Sequence, residues 1–293
     1  MLGESKIQIL DKIKTDLKPK TVFIADKTTS DKVLKHISTN ALNYPLIFKP
    51  DVGERGTNVE KIDNSKEAVD YVEKASFDFL IQEYLDYPIE LGVFYYRYPN
   101  RLSGRVSSIV IKEMLNVVGD GKSTLKELIL QKPRAKLQLE SLEISHQPLM
   151  NNIIPDNEKL VLEPIGNHCR GTAFLDGNHL INRTLVKAFD KIALDIDGFY
   201  FGRFDLKCIS FEDLYQGKVK IMELNGAGSE PAHIYHPGAP IFKAYASLFQ
   251  HMRTLLKISV MNKNLGVNYM SLKDGLHVFK QMPILKKLGL VSS

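Results

Sequence analysis

Two short charged strands in the C-terminal third limit what this chain can become. The segments YFGRFDLK (200–207) and VKIMELNGAGSEP (219–231) each read as a strand. Side chains alternate faces along a strand, so Arg203 and Asp205 share a side, as do Glu223 and Asn225. Four polar groups thereby reach one surface. Two carboxylates and an amide oxygen are hard ligands that Mg²⁺ accepts while keeping waters and nucleotide phosphates, and a neighbouring guanidinium can grip phosphate through two hydrogen bonds. The pattern points to a metal-bound nucleotide. The plainer alternative is a hairpin whose exposed face is charged, and the Gly-rich sequence that follows counts against it.

The rest of the chain leaves room for such a ligand but not for other classes. A chain of 293 residues, 44% hydrophobic and 25% charged, has an ordinary globular composition and can bury a substantial core. Its 39 Lys and Arg against 34 Asp and Glu give +5, too mild and too scattered for a nucleic-acid surface. Cys169 and Cys208 lie far apart in no CxxC arrangement, which indicates neither a disulfide framework nor a zinc site and suits a reducing cytoplasm. No run of 18 apolar residues exists to span a bilayer, and MLGESKIQILDK lacks a signal-peptide core. The expectation is a soluble cytoplasmic protein.

Along the chain, TVFIA (21–25) reads as a strand and TTSDKVLKHI as a helix opened by a Ser or Thr cap. YPLIFKP, a Gly-containing turn DVGERGTNV, the capped amphipathic helix NSKEAVDYVEKA and the strand FDFLIQEYL follow. Two strand-like runs, IELGVFYYRYP and GRVSSIVIKEMLNVV, precede a helix at STLKELIL and a polar helical stretch at 134–148. VKAFDKIALDID (186–197) has helical spacing and feeds the strand that holds Arg203; YASLFQHMRTLLKIS is a long amphipathic helix. The basic tail sets Lys263, Lys273, Lys280, Lys286 and Lys287 beside Phe279, Met282, Leu285 and Leu288. Pro283 interrupts what would otherwise resemble a membrane-surface helix, so a solvated helix packed on the domain is the preferred reading.

Three further segments carry candidate chemistry. In IFKPDVGERGTNV (47–59), Lys49 ends a strand just before a loop with Gly53 and Gly56. Glycines let a backbone approach phosphate, and the ammonium supplies countercharge; an ordinary hairpin turn is the alternative. NVVGDGKSTLKELI (116–129) imitates the end of a Walker A loop, yet Asn116 stands where the first glycine belongs. A structural turn with Ser123 or Thr124 capping the helix is the default there. IGNHCRGTAFLDG (165–177) gathers His168, Cys169 and Arg170, of which Arg170 is the functional candidate and Cys169 reads as a packed small residue. His233 and His236, in EPAHIYHPG, either face a substrate or sit on a surface loop.

Together these residues resemble the ATP-grasp superfamily, whose members ligate a carboxylate to an amine or related nucleophile. The resemblance covers 41–250. It implies an α+β fold of two subdomains, with the nucleotide between two mainly antiparallel sheets. Residues 1–40 would be a reduced N-terminal segment, 41–92 the small subdomain with its lid loop, 93–258 the subdomain with the metal site, and 259–293 a basic tail. Lys49 and the loop 51–58, including Gly53, Gly56 and Thr57, look like the phosphate lysine and lid. In FLIQEYLDYPIELGVF (79–94), similar to the family hinge, Gln82, Glu83, Tyr84 and Leu85 would bind the nucleotide, with backbone groups of Tyr84 and Leu85 at adenine and Glu90 at the ribose. Asp205, Glu223 and Asn225 match the metal ligands, and Arg203 the phosphate-binding arginine. Glu230, His233 and His236 would face substrate.

GRFD followed by ELNGAG looks like the D-alanine–D-alanine ligase pattern, while VVGDGKSTLKELI and GNHCRGTAF are similar to cyanophycin-synthetase-like and glutathione-synthetase-like segments. The mixture prevents transfer of one substrate. The resemblance further implies ATP with Mg²⁺, two ions with Mn²⁺ able to substitute, small-molecule carboxylate and amine substrates, and an acylphosphate intermediate. Only about 40 residues precede the nucleotide unit, where many members carry a further domain. That implies a shortened form, or a homodimer or partner that completes the substrate site. A small-molecule kinase, a non-catalytic ATP-binding module and a P-loop NTPase centred on Lys122 are the competing readings.

Overall fold

A computed structural model describes residues 4–54, 56–277 and 280. The backbone divides into two compact units, one formed by the chain up to Ile111 together with the chain from Asp176 onward, the other by Lys112–Leu175. In the first unit, a short helix α1 (Lys6–Leu10) leads to β1 (Thr21–Ile24), α2 (Ser30–Thr39), β2 (Leu46–Pro50), β3 (Glu60–Ile62), α3 (Ser65–Lys74), β4 (Phe79–Glu83), β5 (Ile89–Tyr96) and β6 (Arg105–Glu113). The first sheet runs β1-β4-β2-β3 and is antiparallel throughout. Phe48 and Phe79 of this sheet and Tyr71 of α3 are buried together, their rings meeting pairwise at 5.2–5.6 Å.

The caps follow local chemistry. Asn64 accepts from the Glu67 amide and starts α3, while Thr29 stands at the N-cap of α2 without a side-chain bond.

The second unit comprises β7 (Asn116–Val118), α4 (Leu125–Gln131), α5 (Pro133–Lys136), α6 (Leu139–Ser145), β8 (Lys159–Val161) and β9 (Ala173–Asp176), the last of which ends at the boundary. The single strand expected over GRVSSIVIKEMLNVV is interrupted: β6 ends at Glu113, β7 starts at Asn116 in a separate pairing with β8, and Asn116 Nδ2 donates to the Met114 carbonyl at 2.7 Å. The polar stretch at 134–148 likewise forms two short helices rather than one. α4 opens on a full capping box between Thr124 and Glu127.

Back in the first unit, α7 (Arg183–Leu194) precedes β10 (Phe201–Cys208), α8 (Phe211–Gln216), β11 (Lys220–Asn225) and the 24-residue α9 (Ile241–Asn264). α7 starts three residues before the expected helix, where Asn182 caps it by accepting from the Leu185 amide. Leu185, Ala188, Phe189, Ile192 and Ala193 form its buried stripe at helical spacing. The strands β11, β10, β5 and β6 lie side by side in that order, each pair antiparallel. The architecture is the expected α+β with two mainly antiparallel sheets. In the tail, Lys263, Lys273 and Lys280 are among the described residues; Phe279, Met282, Pro283, Leu285, Lys286, Lys287 and Leu288 lie outside them.

Phe204, fully buried in β10, contacts Phe189 of α7 at 5.5 Å and Phe199 at 5.0 Å. Phe204→Ala removes a large side chain from a packed interior, and we expect urea denaturation to show a loss of about 3–5 kcal/mol. A loss below about 1 kcal/mol would mean that this contact does not hold the sheet to the helix.

Candidate functional site

Strand alternation delivers what the sequence implied at β10 and β11. Arg203 pairs with Asn225 and Asp205 with Glu223 across the ladder, so all four lie on one face. Arg203 grips Asp205 with two bonds, Nε to Oδ1 at 2.7 Å and a terminal nitrogen to Oδ2 at 3.0 Å. Asn225 Nδ2 donates to the same Oδ2 at 3.2 Å, and the remaining guanidinium nitrogen donates to the Glu230 carbonyl at 3.2 Å. Asp205 sits directly across from Gly92 of β5. A Cβ on Gly92 would come within 3.1 Å of both Arg203 Cδ and Asp205 Oδ1 and 2.7 Å of Val110, so the glycine makes the space in which the pair lies.

Lys49 approaches from the other sheet. Its ammonium, buried at 7% exposure, donates to Gln82 Oε1 at 3.0 Å and to the Met222 carbonyl of β11 at 3.1 Å. Gln82 in turn donates to Thr21 at 2.9 Å. Burial draws the Lys49 ammonium down to about 8 despite the opposing fields of Glu223, Asp205 and Asp51, and Lys6 adds to the depression. The loop that follows is tied at its base. Asp51 accepts from the Ile7 amide at 2.9 Å, and Lys6 Nζ donates to the Gly53 carbonyl at 2.8 Å. Gly56 adopts φ +71°, and Thr57 N donates to the Glu54 carbonyl.

Of the residues expected at a hinge, Tyr84, Leu85 and Glu90 gather around a cation that the sequence pattern did not single out. Lys207 Nζ donates to the Leu85 carbonyl at 2.9 Å, lies 3.6 Å from Glu90 Oε2 and sits 5.3 Å from the Tyr84 ring centre. Glu83 is turned elsewhere, its carboxylate accepting from the Lys20 amide at 3.2 Å. The available signal was period two: Arg203, Asp205 and Lys207 are successive same-face positions of β10.

Of the other expected residues, Glu230 stays beside Arg203, while the histidines and Arg170 are engaged elsewhere. The Glu230 carboxylate accepts a short bond from Tyr235. His233 Nδ1 lies 2.7 Å from Ser108 Oγ, and burial lowers its proton affinity. His236 Nδ1 accepts from the Asp176 amide at 3.1 Å. Arg170 belongs to the second unit, 3.6 Å from Glu163. In that unit the Walker-like loop is an Asx turn. Asp120 accepts from the Lys122 and Ser123 amides and from the Ser123 hydroxyl, which holds its carboxyl down at about 2. The amides that a phosphate would need are thus engaged.

As metal donors, Asp205, Glu223 and Asn225 offer two carboxylates and an amide. Among the described residues no group of three or more His, Cys, Asp or Glu is placed to enclose an ion. Such a set suits a hard cation that draws its other ligands from phosphate and water. No helix among the described residues is long and apolar enough to cross a membrane.

No protein-family model matches this chain. The chain is similar to the glutathione biosynthesis bifunctional protein of Streptococcus mutans, 23% identical over 192 residues, covering 59% of this chain and 24% of that protein. It thus spans about a quarter of the length of this curated relative. Among solved structures it is similar to a bifunctional glutathione synthetase from Pasteurella multocida, at TM-score 0.41 and 15% identity, covering 86% of this chain and 35% of the other. It is also similar to the D-Ala:D-Ser ligase of Enterococcus faecalis, at TM-score 0.48 and 14% identity, covering 88% and 62%, and to the D-alanine–D-alanine ligase of Bacillus anthracis, at 0.46 and 12%, covering 90% and 70%.

The Lys49 shift carries a sign. Its folded value of about 8 lies below the ordinary 10.5, so between these values the unfolded chain holds more protons than the folded one. Stability then rises with pH through that window; the penalty is full below pH 8 and fades toward 10.5. We expect the unfolding free energy of the wild type relative to Lys49→Gln to increase between about pH 7.5 and about pH 9.5, below the range in which Tyr71 and Tyr95 ionise. A difference that stays flat across those pH values would show that the ammonium is solvated.

Proposed function

We propose that this chain is an ATP-dependent ligase of the ATP-grasp kind, joining a carboxylate to an amine or a related nucleophile. One observation carries the reading: the Lys49 ammonium of one sheet is hydrogen-bonded to the strand of the other sheet that bears Glu223 and Asn225, beside the Arg203–Asp205 pair. Two cations and two carboxylates around one point are what phosphoryl transfer requires, since that chemistry depends on positioning and charge neutralisation rather than a protein nucleophile. The likeness to a glutathione biosynthesis protein supports the same class.

In this reading Asp205, Glu223 and Asn225 would hold Mg²⁺, as two ions replaceable by Mn²⁺, and bound metal supplies charge that neutralises phosphate oxygens. Lys49 and Arg203 provide the protein's cations at the transferring phosphoryl group. Tyr84 and Leu85 form the wall for the base, and Glu90, paired with Lys207, is placed for the ribose. The loop 51–58 covers the phosphates and excludes water, using the freedom of Gly53 and Gly56. A carboxylate oxygen attacks the γ-phosphorus, the bond to the ADP oxygen breaks, and ADP leaves with that electron pair. The amine nitrogen then attacks the acylphosphate carbon, loses a proton to solvent and expels phosphate. Glu230, His233 and His236 are the residues proposed to meet the substrates, and Arg170 of the second unit is proposed as a further catalytic cation. A second copy or a partner protein would complete the substrate site. Residues 41–92 and 93–258 are the two subdomains of this proposal, and the cytoplasm its compartment.

The test is ATP-dependent phosphate release across a panel of amino acids and dicarboxylates. A ligase releases ADP and phosphate only when both substrates are present, whereas a stable phosphorylated product would indicate a kinase. Asp205→Asn should lower turnover by about 10²–10³-fold with far-UV circular dichroism unchanged. Full turnover in that variant would falsify the assignment.

A further inference from the structure

Helix α9 turns toward solvent a face built for contact. Phe242, Tyr245, Phe249, Met252, Leu256 and Val260 recur at intervals of three and four residues and so form one stripe. The first, third and fourth are 84%, 71% and 69% exposed. The helix has already met its packing needs on the opposite face. There His251, Thr254 and Ile258 are buried, His251 meets the Phe94 ring edge-on at 4.7 Å, and its Nε2 lies 2.9 Å from Ser107 Oγ. Single exposed apolar residues need no explanation, but a contiguous patch does. Large aromatic side chains bury about 150–250 Å² each, so the three aromatics alone bring this stripe to the size of an interaction surface.

Charge selects the partner. From Pro231 to Lys273 the sequence contains no Asp or Glu but five cations, Lys243, Arg253, Lys257, Lys263 and Lys273, a net charge equal to the +5 of the whole chain. The remainder of the protein is therefore neutral overall, and the excess positive charge lies on and just after this helix. A second copy of α9 would bring Arg253 and Lys257 against their own kind beside the seam, with no acidic residue to answer them. An anionic surface answers all of them at once. Aromatic and aliphatic side chains on one stripe, bordered by Lys and Arg whose stems can extend along the interface, are the composition of a helix lying in the headgroup region of a bilayer.

We propose that α9 docks this protein on an anionic lipid surface. The stripe from Phe242 to Val260 enters the boundary between headgroups and acyl chains, and Lys243, Arg253, Lys257 and Lys263 engage anionic headgroups. Docking of this kind lays the helix on the membrane and spans nothing. It is independent of the ligase reading, since none of these residues belongs to the nucleotide site.

Co-sedimentation of the full chain with phosphatidylcholine vesicles, with and without phosphatidylglycerol, tests the inference. Binding is expected only to the anionic vesicles and should weaken as added salt shortens the reach of the charges. Arg253→Gln with Lys257→Gln should reduce binding by more than about tenfold, and Phe249→Asp should abolish it. Both variants change exposed positions, and unchanged circular dichroism would confirm the fold. Equal binding to both vesicle types, or binding to neither, overturns the proposal. So does a wild-type dimer in light scattering that Phe249→Asp converts to monomer, because the stripe is then an interface between copies of this chain.

Discussion

A buried ammonium joins the two sheets of the larger unit. Removing a lysine headgroup from water is costly, and neutral acceptors recover only part of the cost. The depressed proton affinity of Lys49 records the shortfall: Gln82, the Met222 carbonyl and the fields of Glu223, Asp205 and Asp51 do not fully replace water. A methionine could fill the same volume without that penalty. Retaining a charge at this position makes sense if something anionic completes its surroundings, and the same interaction that lowers stability without ligand would then contribute to affinity with it. Lys49 also fixes geometry, since its bond to Met222 sets the strand bearing Glu223 against the strand that leads into the glycine loop.

Charge balance narrows the kind of anion. Lys49 and Arg203 face Asp205, Glu223 and, beside Arg203, Glu230, two cations against three carboxylates, while Lys6 and Asp51 balance one another beside them. Side chains whose own charges leave a slight negative excess are poorly suited to a bare polyphosphate, whose charge they could not offset. A polyphosphate that arrives with divalent ions brings its own compensation, and the carboxylates then have a cation to meet. Arg203 and Asp205 hold each other through two bonds, which gives both buried groups a partner. In the proposed function, the nucleotide and its metal would exchange that internal pair for two external ones at little net cost.

Much of this was legible in the sequence, for a specific reason. Period two assigns Arg203 with Asp205 and Glu223 with Asn225 to shared faces from the residues alone, because alternation is a local property of a strand. The helices α3, α4 and α7 follow from similarly local signals, whereas the two antiparallel sheets were expected only from the family resemblance. What escaped depends on contacts between distant segments. Gly92 is only a glycine in a hydrophobic run until its register opposite Asp205 is known. Lys207 belongs to the same alternation as Arg203 and Asp205, but its meaning lies in Leu85 and Glu90 on another part of the chain. The break between β6 and β7 marks the point where the chain leaves one sheet to pair with β8 in another, which no periodicity reveals. His233 and His236 look alike in sequence, yet one is engaged by a serine of the sheet and the other by a backbone amide.

The organisation of β10 explains why both ends of the proposed nucleotide site depend on a single element. Arg203, Asp205 and Lys207 occupy its polar face, whereas Phe204, Leu206 and Cys208 on the opposite face are fully buried. Slippage by one residue would place three charged side chains in the core and three apolar ones in the site, so the register is strongly enforced. The hydrophobic face thereby sets the positions of the charged one. The phosphate end, at Arg203 and Asp205, and the hinge end, at Lys207, are held two and four residues apart on a rigid strand with the same core beneath them. Precision at such a site does not have to come from the loops, because the strand and the core beneath it hold the charges in place.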